Sequence, residues 1–531
     1  MNAVRSVLAA AVFVWLGAAM IFSSSPTFDE PLHLASGYSA LSGDGQPGRW
    51  RTHPRFAQMW SALPLLALKP PKPLIGPSWL SENVFGSADA FLYKNSVSAE
   101  KLLNVARLWS LATWAALLSV CVFVWSRRLG GSAQMMAVAP FLALCPPLIS
   151  NFALVSTDSA ATALYFATFY TLSKNPRREA HYALAGVTMG LAMTSAYGMV
   201  LLPPCALIAL LVESRLAGGK PLQARHVLIL LASALAIVSV IYGPSGFMAY
   251  WRDLASTLAI VSTGWPSYLM GSISQTGFLA YFLVAVAVKT PLPQLFAAAL
   301  GAASMIERRP ARECLWLLVP PVVYFAAACF SKTQAGLRYV LLIFPFMVVC
   351  AGEGLAWLWT KPQIGKPAAC LLLAWLAASV FRVHPHYLAY FNEAAGGPTR
   401  GQRLLVDSNL DWGQGLRDLA LEIKRRGDPP IYLSYFGSGD PSYYGLRYYP
   451  LEFVMSIARR EGVVRPGARD PVLLAVSATN LQGLYLDDPD AFAWLRDRKP
   501  AYRAGYSIFL YDLTNDAEGR AYLAKQLAAA K

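Results

Sequence analysis

Apolar runs, many of about 18 residues or more, recur along the first three-quarters of the chain, and short polar clusters separate them. A run of that length crosses the roughly 30 Å core of a bilayer as a helix, which satisfies its own backbone polar groups. The pattern predicts a polytopic α-helical membrane protein with about eleven spans. They fall near 4–22, 104–126, 133–151, 159–173, 180–196, 198–213, 226–243, 278–305, 314–330, 337–359 and 367–383. The stretch 23–103 is neither apolar nor low in complexity. Within it "PLHLASGYSAL" (31–41) and "HPRFAQMWSALPLLAL" (53–68) space their apolar residues as helices do. They are expected to lie along the membrane surface, and Pro70, Pro71 and Pro73 end the pattern.

Beyond residue 384 no spanning run appears and charge rises. Strand-like "RLLVDS", "IYLSYFG", "VLLAVSA" and "SIFLYDL" alternate with helix-like "WGQGLRDLALEIKRR", "DAFAWLRD" and "NDAEGRAYLAKQLAAA". This predicts a soluble α/β domain over 384–531, after a transmembrane domain over 1–383. No internal repeat is visible, which argues against an inverted-repeat transporter.

Composition agrees with this division. The 531 residues are 56% hydrophobic and only 14% charged, against roughly 25% charged in soluble domains. The net charge of +15 would suit a nucleic-acid partner, but its distribution excludes one. Arg127 and Arg128, Lys174 with Arg177 and Arg178, Arg215 with Lys220 and Arg225, Arg308 with Arg309 and Arg312, and Lys361 with Lys366 fill short gaps between apolar runs. Such gaps are cytoplasmic by the positive-inside rule. With Arg5 they place the N-terminus in the cytoplasm, and an odd span count places the tail outside. The 23–103 loop, the stretch 244–277, and the turns 156–158 and 331–338 are then outside as well. The first run is expected to be an uncleaved anchor, because many spans follow it. The seven cysteines all lie in apolar segments without metal-ligand spacing, which suits small core residues.

In so acid-poor a chain, "SSSPTFDEPLHL" (23–34) sets Asp29 and Glu30 side by side just after the first span. An acid before Pro31 caps a helix well, which explains one acid better than two. The other reading is a general base at the outer membrane surface, with its neighbour tuning or orienting it. His53, among Arg49, Arg51 and Arg55, fits either a headgroup-binding segment or contact with a lipid phosphate. Asp158 in "STDSA" is a helix cap or a site residue. Lys289 lies about eleven residues into a span, or on a re-entrant piece broken by Pro291 and Pro293, and a buried Lys marks a polar cavity. Arg338 enters a span from the outer side, where it snorkels or binds an anion. Asp407, Asn409 and Asp411 alternate as in a calcium loop. Trp412 stands where that loop needs Gly, and Asp418 where it needs Glu, so a capped turn is expected instead.

Taken in order, "FDEPLHLASGY", "HPRFAQMWSALPLL", "STDSA", "GWPSYLMGSISQTGFLAYFLVAVAVKTPLP", "GLRYVLLIFPF" and "HPHYLAYFNEAAGGPTRGQRLLVDSNLDWGQGL" resemble bacterial polyprenyl-phosphate-dependent glycosyltransferases of the GT-C superfamily. These are relatives of protein O-mannosyltransferases and the lipid A aminoarabinose transferase. The resemblance spans nearly the whole chain, and "SNLDWGQ" marks a narrower bacterial branch. It implies that Asp29 is the catalytic acid of the first-loop motif, with Glu30 beside it. His53 and Arg338 would lie near the lipid phosphate, and Lys289 matches a Lys common in the branch. Ala196 before Tyr197, where relatives carry Lys, and Arg55, where they carry a second Pro, are departures that bear on sugar or carrier specificity.

The expected function is sugar transfer from a polyprenyl-phosphate donor, such as one on undecaprenyl phosphate, to a hydroxyl of an unidentified glycan, lipid or protein. The reaction would be inverting and metal-independent, at the periplasmic face of a bacterial inner membrane, in contact with membrane lipids. The alternative is a lipid-linked sugar flippase, which would use the same pocket without a base.

Overall fold

The computed structural model describes residues 2–43, 53–72, 84–174, 176–216, 222–243, 246–451 and 463–529. Arg49, Arg51, Pro73 and Lys220 lie outside them. Among the described residues, six helices are long and apolar enough to cross a membrane: Val4–Ser23, Ala99–Ala143, Tyr197–Arg215, Ala224–Tyr242, Ala311–Cys329 and Leu337–Trp359. Tyr281–Lys289 and Leu292–Arg308, bent by 110°, make a seventh if they are one broken span. The chain is a multi-pass membrane protein.

The expected count of eleven exceeds this because Ala99–Ala143 is counted as one helix and because three expected spans are short, Gly365–Phe381 having 17 residues. Asp158–Leu172 and Glu179–Met193 have 15 residues each, about 22 Å of helix, which is short of a bilayer core. Asp158–Leu172 is buried along nearly its whole length, so its surroundings are protein. The break expected between 126 and 133 is present: Gly130 and Gly131 have non-helical dihedrals, so Ala99–Ala143 is two helices joined at a kink, the second followed by the short helix Pro146–Phe152.

Small residues bring the helices close. In Glu179–Met193, a Cβ on Gly186 would lie 2.3 Å from the Leu230 carbonyl, and one on Gly190 would lie 2.5 Å from that of Ala234. The facing helix Ala224–Tyr242 buries only Leu230, Ala234, Val238 and Tyr242. That four-residue spacing is one stripe, and Leu228, Leu235 and Val240 point outward, as small-residue packing in a membrane requires.

The basic gaps converge. Arg128 donates to Ser173 Oγ at 2.5 Å, and Arg312 to the carbonyls of Ser173 and Lys174 at 3.1 and 2.9 Å. Arg177 and Arg312 share the carboxylate of Glu213, and Arg309 pairs with Glu353. Ser173 ends the helix that Asp158 begins. The basic cluster and Asp158 therefore sit at opposite ends of one helix.

The two short helices expected in the first long loop are present as Glu30–Ser42 and Arg55–Ala62, the latter followed by Leu65–Leu68. Glu30–Ser42 does not lie along a surface. It is buried from Glu30 to Ser39 against Arg55–Ala62, Val84–Tyr93 and the start of Ala99–Ala143. The region 244–277 holds a helix, Phe247–Thr263, and a hairpin of β1 (Ser267–Leu269) and β2 (Ser272–Ser274).

The tail carries a mixed five-stranded sheet. Its strands are β3 (Ile431–Ser434), β4 (Tyr448–Pro450), β5 (Leu473–Ser477), β6 (Tyr502–Ala504) and β7 (Ile508–Asp512), in the order β4-β3-β5-β7-β6. β3 runs parallel to β4 and β5, and β7 runs antiparallel to β5 and β6. Strand alternation sends Ile431, Leu433, Leu473, Ala475, Ile508 and Leu510 to one face, under the helix Leu416–Arg425. Tyr432, Leu474, Val476, Phe509 and Tyr511 go to the other, continuous with the core of the membrane part. Burial on both faces explains the unbroken apolar runs of β3 and β5. Two expected elements differ. "RLLVDS" is no strand, because Asp407 takes a left-handed φ of 56° and the chain turns through Asp407–Asn409. "DAFAWLRD" shrinks to the single turn Ala493–Leu495, where Arg496 binds the carbonyls of Leu481 and Pro489.

Candidate active site

The extended residues 24–28 lead from the first span to the acidic pair. They are held by the tail turn "DWGQ". Ser25 N donates to Gln414 O at 3.1 Å and Phe28 N to Trp412 O at 2.8 Å. Ser25 Oγ donates to Gly413 O and accepts from Leu416 N, at 2.9 and 3.0 Å. The next helix then starts at Glu30.

The two acids have separate jobs. Asp29 occupies the N-cap position, yet its side chain makes no capping bond. Its Oδ2 accepts from Arg338 Nη1 at 3.2 Å. Glu30 is spent on structure. Its Oε1 accepts from Arg107 Nε at 2.7 Å and Val155 N at 2.8 Å, and its Oε2 from Arg107 Nη2 at 2.5 Å and Thr27 N at 2.8 Å. Arg107, fully buried, also donates to the carbonyls of Ile21, Ser24 and Ser25. A buried ion pair is tolerable when its remaining hydrogen bonds are satisfied like this. The pair bolts the first loop to the long helix and leaves Glu30 no free lone pair for chemistry.

Arg338 reaches the cluster because the chain before it leans on the tail. Gly336, at φ 149°, passes so close that a Cβ would lie 2.0 Å from Ser408 Oγ. Ser408 Oγ donates to Ala335 O, and Leu337 N to Asn409 Oδ1 at 2.9 Å. The guanidinium then stacks over Trp412, 4.3 Å from the ring centre, and lies 5.2 Å from that of Tyr339. It feels the charges of Asp29, Asp158 and Asp407.

Asp158, the first residue of its helix, takes its place through the turn that Glu30 pins at Val155. Its Oδ2 is buried and has no hydrogen-bond partner among the described residues. His53 packs edge-on against His33 at 4.9 Å, and His33 N binds the Asp29 carbonyl at 3.0 Å. Burial pushes His53 down to about 4, against the opposing pull of Asp29. It also holds His33 well below the usual imidazole range. Burial thus disfavours the charged form of both rings. Arg55 turns away to stack on Tyr242 at 4.7 Å.

Lys289 ends the first arm of the bent pair, which favours the broken-segment reading of that residue. It donates to Leu388 O at 2.8 Å and Asn409 O at 2.5 Å, over the ring of Phe391 at 4.4 Å. It ties the bent pair to the tail, through the same Asn409 that holds Leu337.

The structure thus gathers Asp29, Asp158, His53 and Arg338 and sets Glu30 and Lys289 behind them as braces. It adds three residues that the sequence reading did not single out, Arg107, His33 and Tyr485, and gives a place to Trp412, which entered there only against a calcium loop. Asp407, weighed there only as part of a calcium loop, joins them. Its carboxylate accepts from Ser408 N at 2.5 Å and from the Tyr485 hydroxyl, which in turn accepts from Trp265 Nε1 at 3.0 Å. Burial pushes Asp407 up to about 6, against those bonds and Arg338. Arg107 had one visible signal, a lone charge in the apolar run "NVARLWSLA". Among the described residues no group of three or more His, Cys, Asp or Glu is arranged to hold a metal ion.

Comparison with known proteins gives the class. The apo crystal structure of ArnT from Cupriavidus metallidurans superposes with TM-score 0.51 at 14% identity, over 95% of this chain and 97% of that one. ArnT from the same organism bound to undecaprenyl phosphate matches at 13% identity and TM-score 0.48, over 96% and 97%. The archaeal oligosaccharyltransferase AglB from Archaeoglobus fulgidus, in complex with an inhibitory peptide and a dolichol-phosphate, matches at 11% and 0.49, over 81% and 62%. No curated protein matches the chain in sequence. The fold is similar to that of ArnT over nearly the whole length of both chains, with a mixed-sheet C-terminal domain. Residues 100–242, which include Arg107 and Asp158, match the dolichyl-phosphate-mannose-protein mannosyltransferase family. The likeness to that family is confined to this segment of the chain.

Proposed function

We propose that the protein moves a sugar from a polyprenyl-phosphate carrier to an acceptor hydroxyl, with inversion at the anomeric carbon and Asp29 as general base. The observation that carries this reading is the Asp29 carboxylate, unspent on the helix cap and paired with Arg338 at 3.2 Å. A lipid phosphate would take the guanidinium through charge-assisted hydrogen bonds and free Asp29 to accept the proton of the acceptor hydroxyl. The acceptor oxygen bonds to the anomeric carbon as that carbon's bond to the phosphate oxygen breaks. The electron pair leaves on the phosphate, a weak base that needs no acid but gains from a nearby positive charge.

The other residues divide by position. Asp158, with an oxygen that has no partner among the described residues, and the rings of His33 and His53 would hydrogen-bond the sugar or phosphate. Glu30 and Lys289 position the two segments from behind. The basic end of the bundle is read as cytoplasmic and the Asp29 end as periplasmic, in a bacterial inner membrane. The acceptor is a glycan, lipid or protein.

The test is release of lipid phosphate from a polyprenyl-phosphate sugar by detergent-purified protein. Release that depends on Asp29 supports the reading. Release retained in a folded Asp29→Asn protein removes Asp29 as the base. Translocation of the lipid without bond cleavage returns the flippase reading.

A further inference from the structure

Trp412 touches Arg338 and the residue before Asp29. Its carbonyl accepts the N–H of that residue, Phe28, at 2.8 Å. Its ring carries the Arg338 guanidinium at 4.3 Å. The residue is 2% exposed, and its turn is locked from both sides. Trp412 N donates to Gln414 Oε1, and Gln414 Nε2 donates to Leu410 O, each at 2.8 Å.

Besides stacking on Trp412, the nearer ring, the Arg338 guanidinium lies 5.2 Å from the ring centre of Tyr339. Among the described residues its one hydrogen bond is to Asp29, and its Nε is buried without a partner. The plane of a guanidinium with a single hydrogen bond is set by what it stacks on, and an indole face attracts it both as a cation and as a flat π-system.

We infer that Trp412 is a positioning residue for Arg338. Its ring fixes the guanidinium plane so that the N–H groups not facing Asp29 are presented together to the phosphate of the lipid donor. The inference rests on the donor reading above. It assigns to the tail, through one side chain, a share in binding a ligand otherwise held by the membrane part.

The experiment measures binding of undecaprenyl phosphate to the purified full chain. Trp412→Phe keeps an aromatic face, and Trp412→Leu keeps apolar volume without one. Neither alters the backbone bond to Phe28. Trp412→Leu is expected to weaken binding about three- to thirtyfold, the range of a desolvated cation–π contact, and Trp412→Phe much less. In turnover the loss should appear in KM for the donor and leave KM for the acceptor in place. In an Arg338→Ala background Trp412→Leu should add nothing, because the coupled partner is gone.

Wild-type affinity in Trp412→Leu, equal losses in the Phe and Leu variants, or full additivity with Arg338→Ala would each overturn the proposal. If the Leu variant does not fold, fluorinated tryptophans placed at 412 keep the ring's shape and drain its negative face. Affinity that falls with each added fluorine supports the proposal, and a flat series overturns it. Absence of binding by the wild type overturns the donor reading, and this proposal with it. Wild-type binding indifferent to residue 412 overturns this proposal alone.

Discussion

Asp29 and Arg338 meet at 3.2 Å although 309 residues separate them in the chain. The acid proposed to take a proton and the cation proposed to take a phosphate neutralise each other while neither ligand is present. Donor binding would break this pair, so the base becomes available only when there is something to attack.

Asp29→Asn should therefore separate activity from stability. The side chain makes no capping bond, so the melting temperature of the purified protein should hardly move. Transfer from a lipid-phosphate sugar should fall about a hundredfold or more, because an amide cannot accept the proton. A large loss of stability would instead show the carboxylate to be structural.

Arg338→Ala removes a charge-assisted contact of the kind that contributes about 1.5–3 kcal/mol, which predicts about a ten- to hundredfold loss in kcat/KM for the donor. Arg338→Lys should recover only part of it, since a point charge lacks the planar fork. Unchanged kinetics in the folded Ala variant would leave Arg338 as a residue that only spans the interface.

Glu30→Gln should behave in the opposite way to Asp29→Asn. Arg107 is buried with its charge matched by this one carboxylate, and breaking such a pair costs about 3–5 kcal/mol. Expression and melting temperature should drop sharply, while surviving folded protein keeps much of its turnover per molecule. A stable but inactive Glu30→Gln protein would give Glu30 a chemical role.

Asp411 gives the tail a pH dependence. It is fully buried, accepts from Thr479 N at 2.9 Å, and burial pushes it from 3.8 up to about 7. Between those values the folded protein holds a proton that the unfolded chain has lost. The group's contribution to stability is therefore greatest below the lower value and falls as pH rises through the upper one. Melting temperatures at pH 5 and pH 8 should differ in that direction, and the difference should shrink in Asp411→Asn. The same slope in both proteins would show that Asp411 does not titrate there.

Topology is checked with a periplasm-dependent phosphatase fused after Lys531, which should be active. Activity of a cytoplasmic reporter at the same position would reverse the orientation and place the site on the other face.

How far the sequence foretold this arrangement depends on the range of each interaction. Asp29, Asp158 and Arg338 stood out because a charge at the mouth of an apolar run is conspicuous wherever the chain goes next. The strands β3, β5 and β7 were legible as dense β-branched and aromatic runs. Strands β4 and β6 were not, being three residues each and carrying Pro450 and Arg503. The different fates of Asp29 and Glu30 could not be read from adjacent letters. They follow from Arg107, Val155 and Arg338, which arrive from distant segments. Trp412 counted only against a calcium loop, since no local pattern reveals which cation an aromatic ring will meet. The break at Gly130 and Gly131 was legible, because the two glycines follow Arg127 and Arg128 in a polar gap between apolar runs.

The hydrogen bonds between residues 25–28 and 412–414 also bear on the order of assembly. The segment carrying the proposed base is synthesised before the turn that holds it, Ser25 and Gly413 being 388 positions apart. Until the chain has been synthesised beyond Gln414 and folded back on the first loop, Asp29 lacks the frame that sets it opposite Arg338. A partly made protein, already threaded into the membrane, is in this sense an unfinished catalyst, kept idle through its own biogenesis.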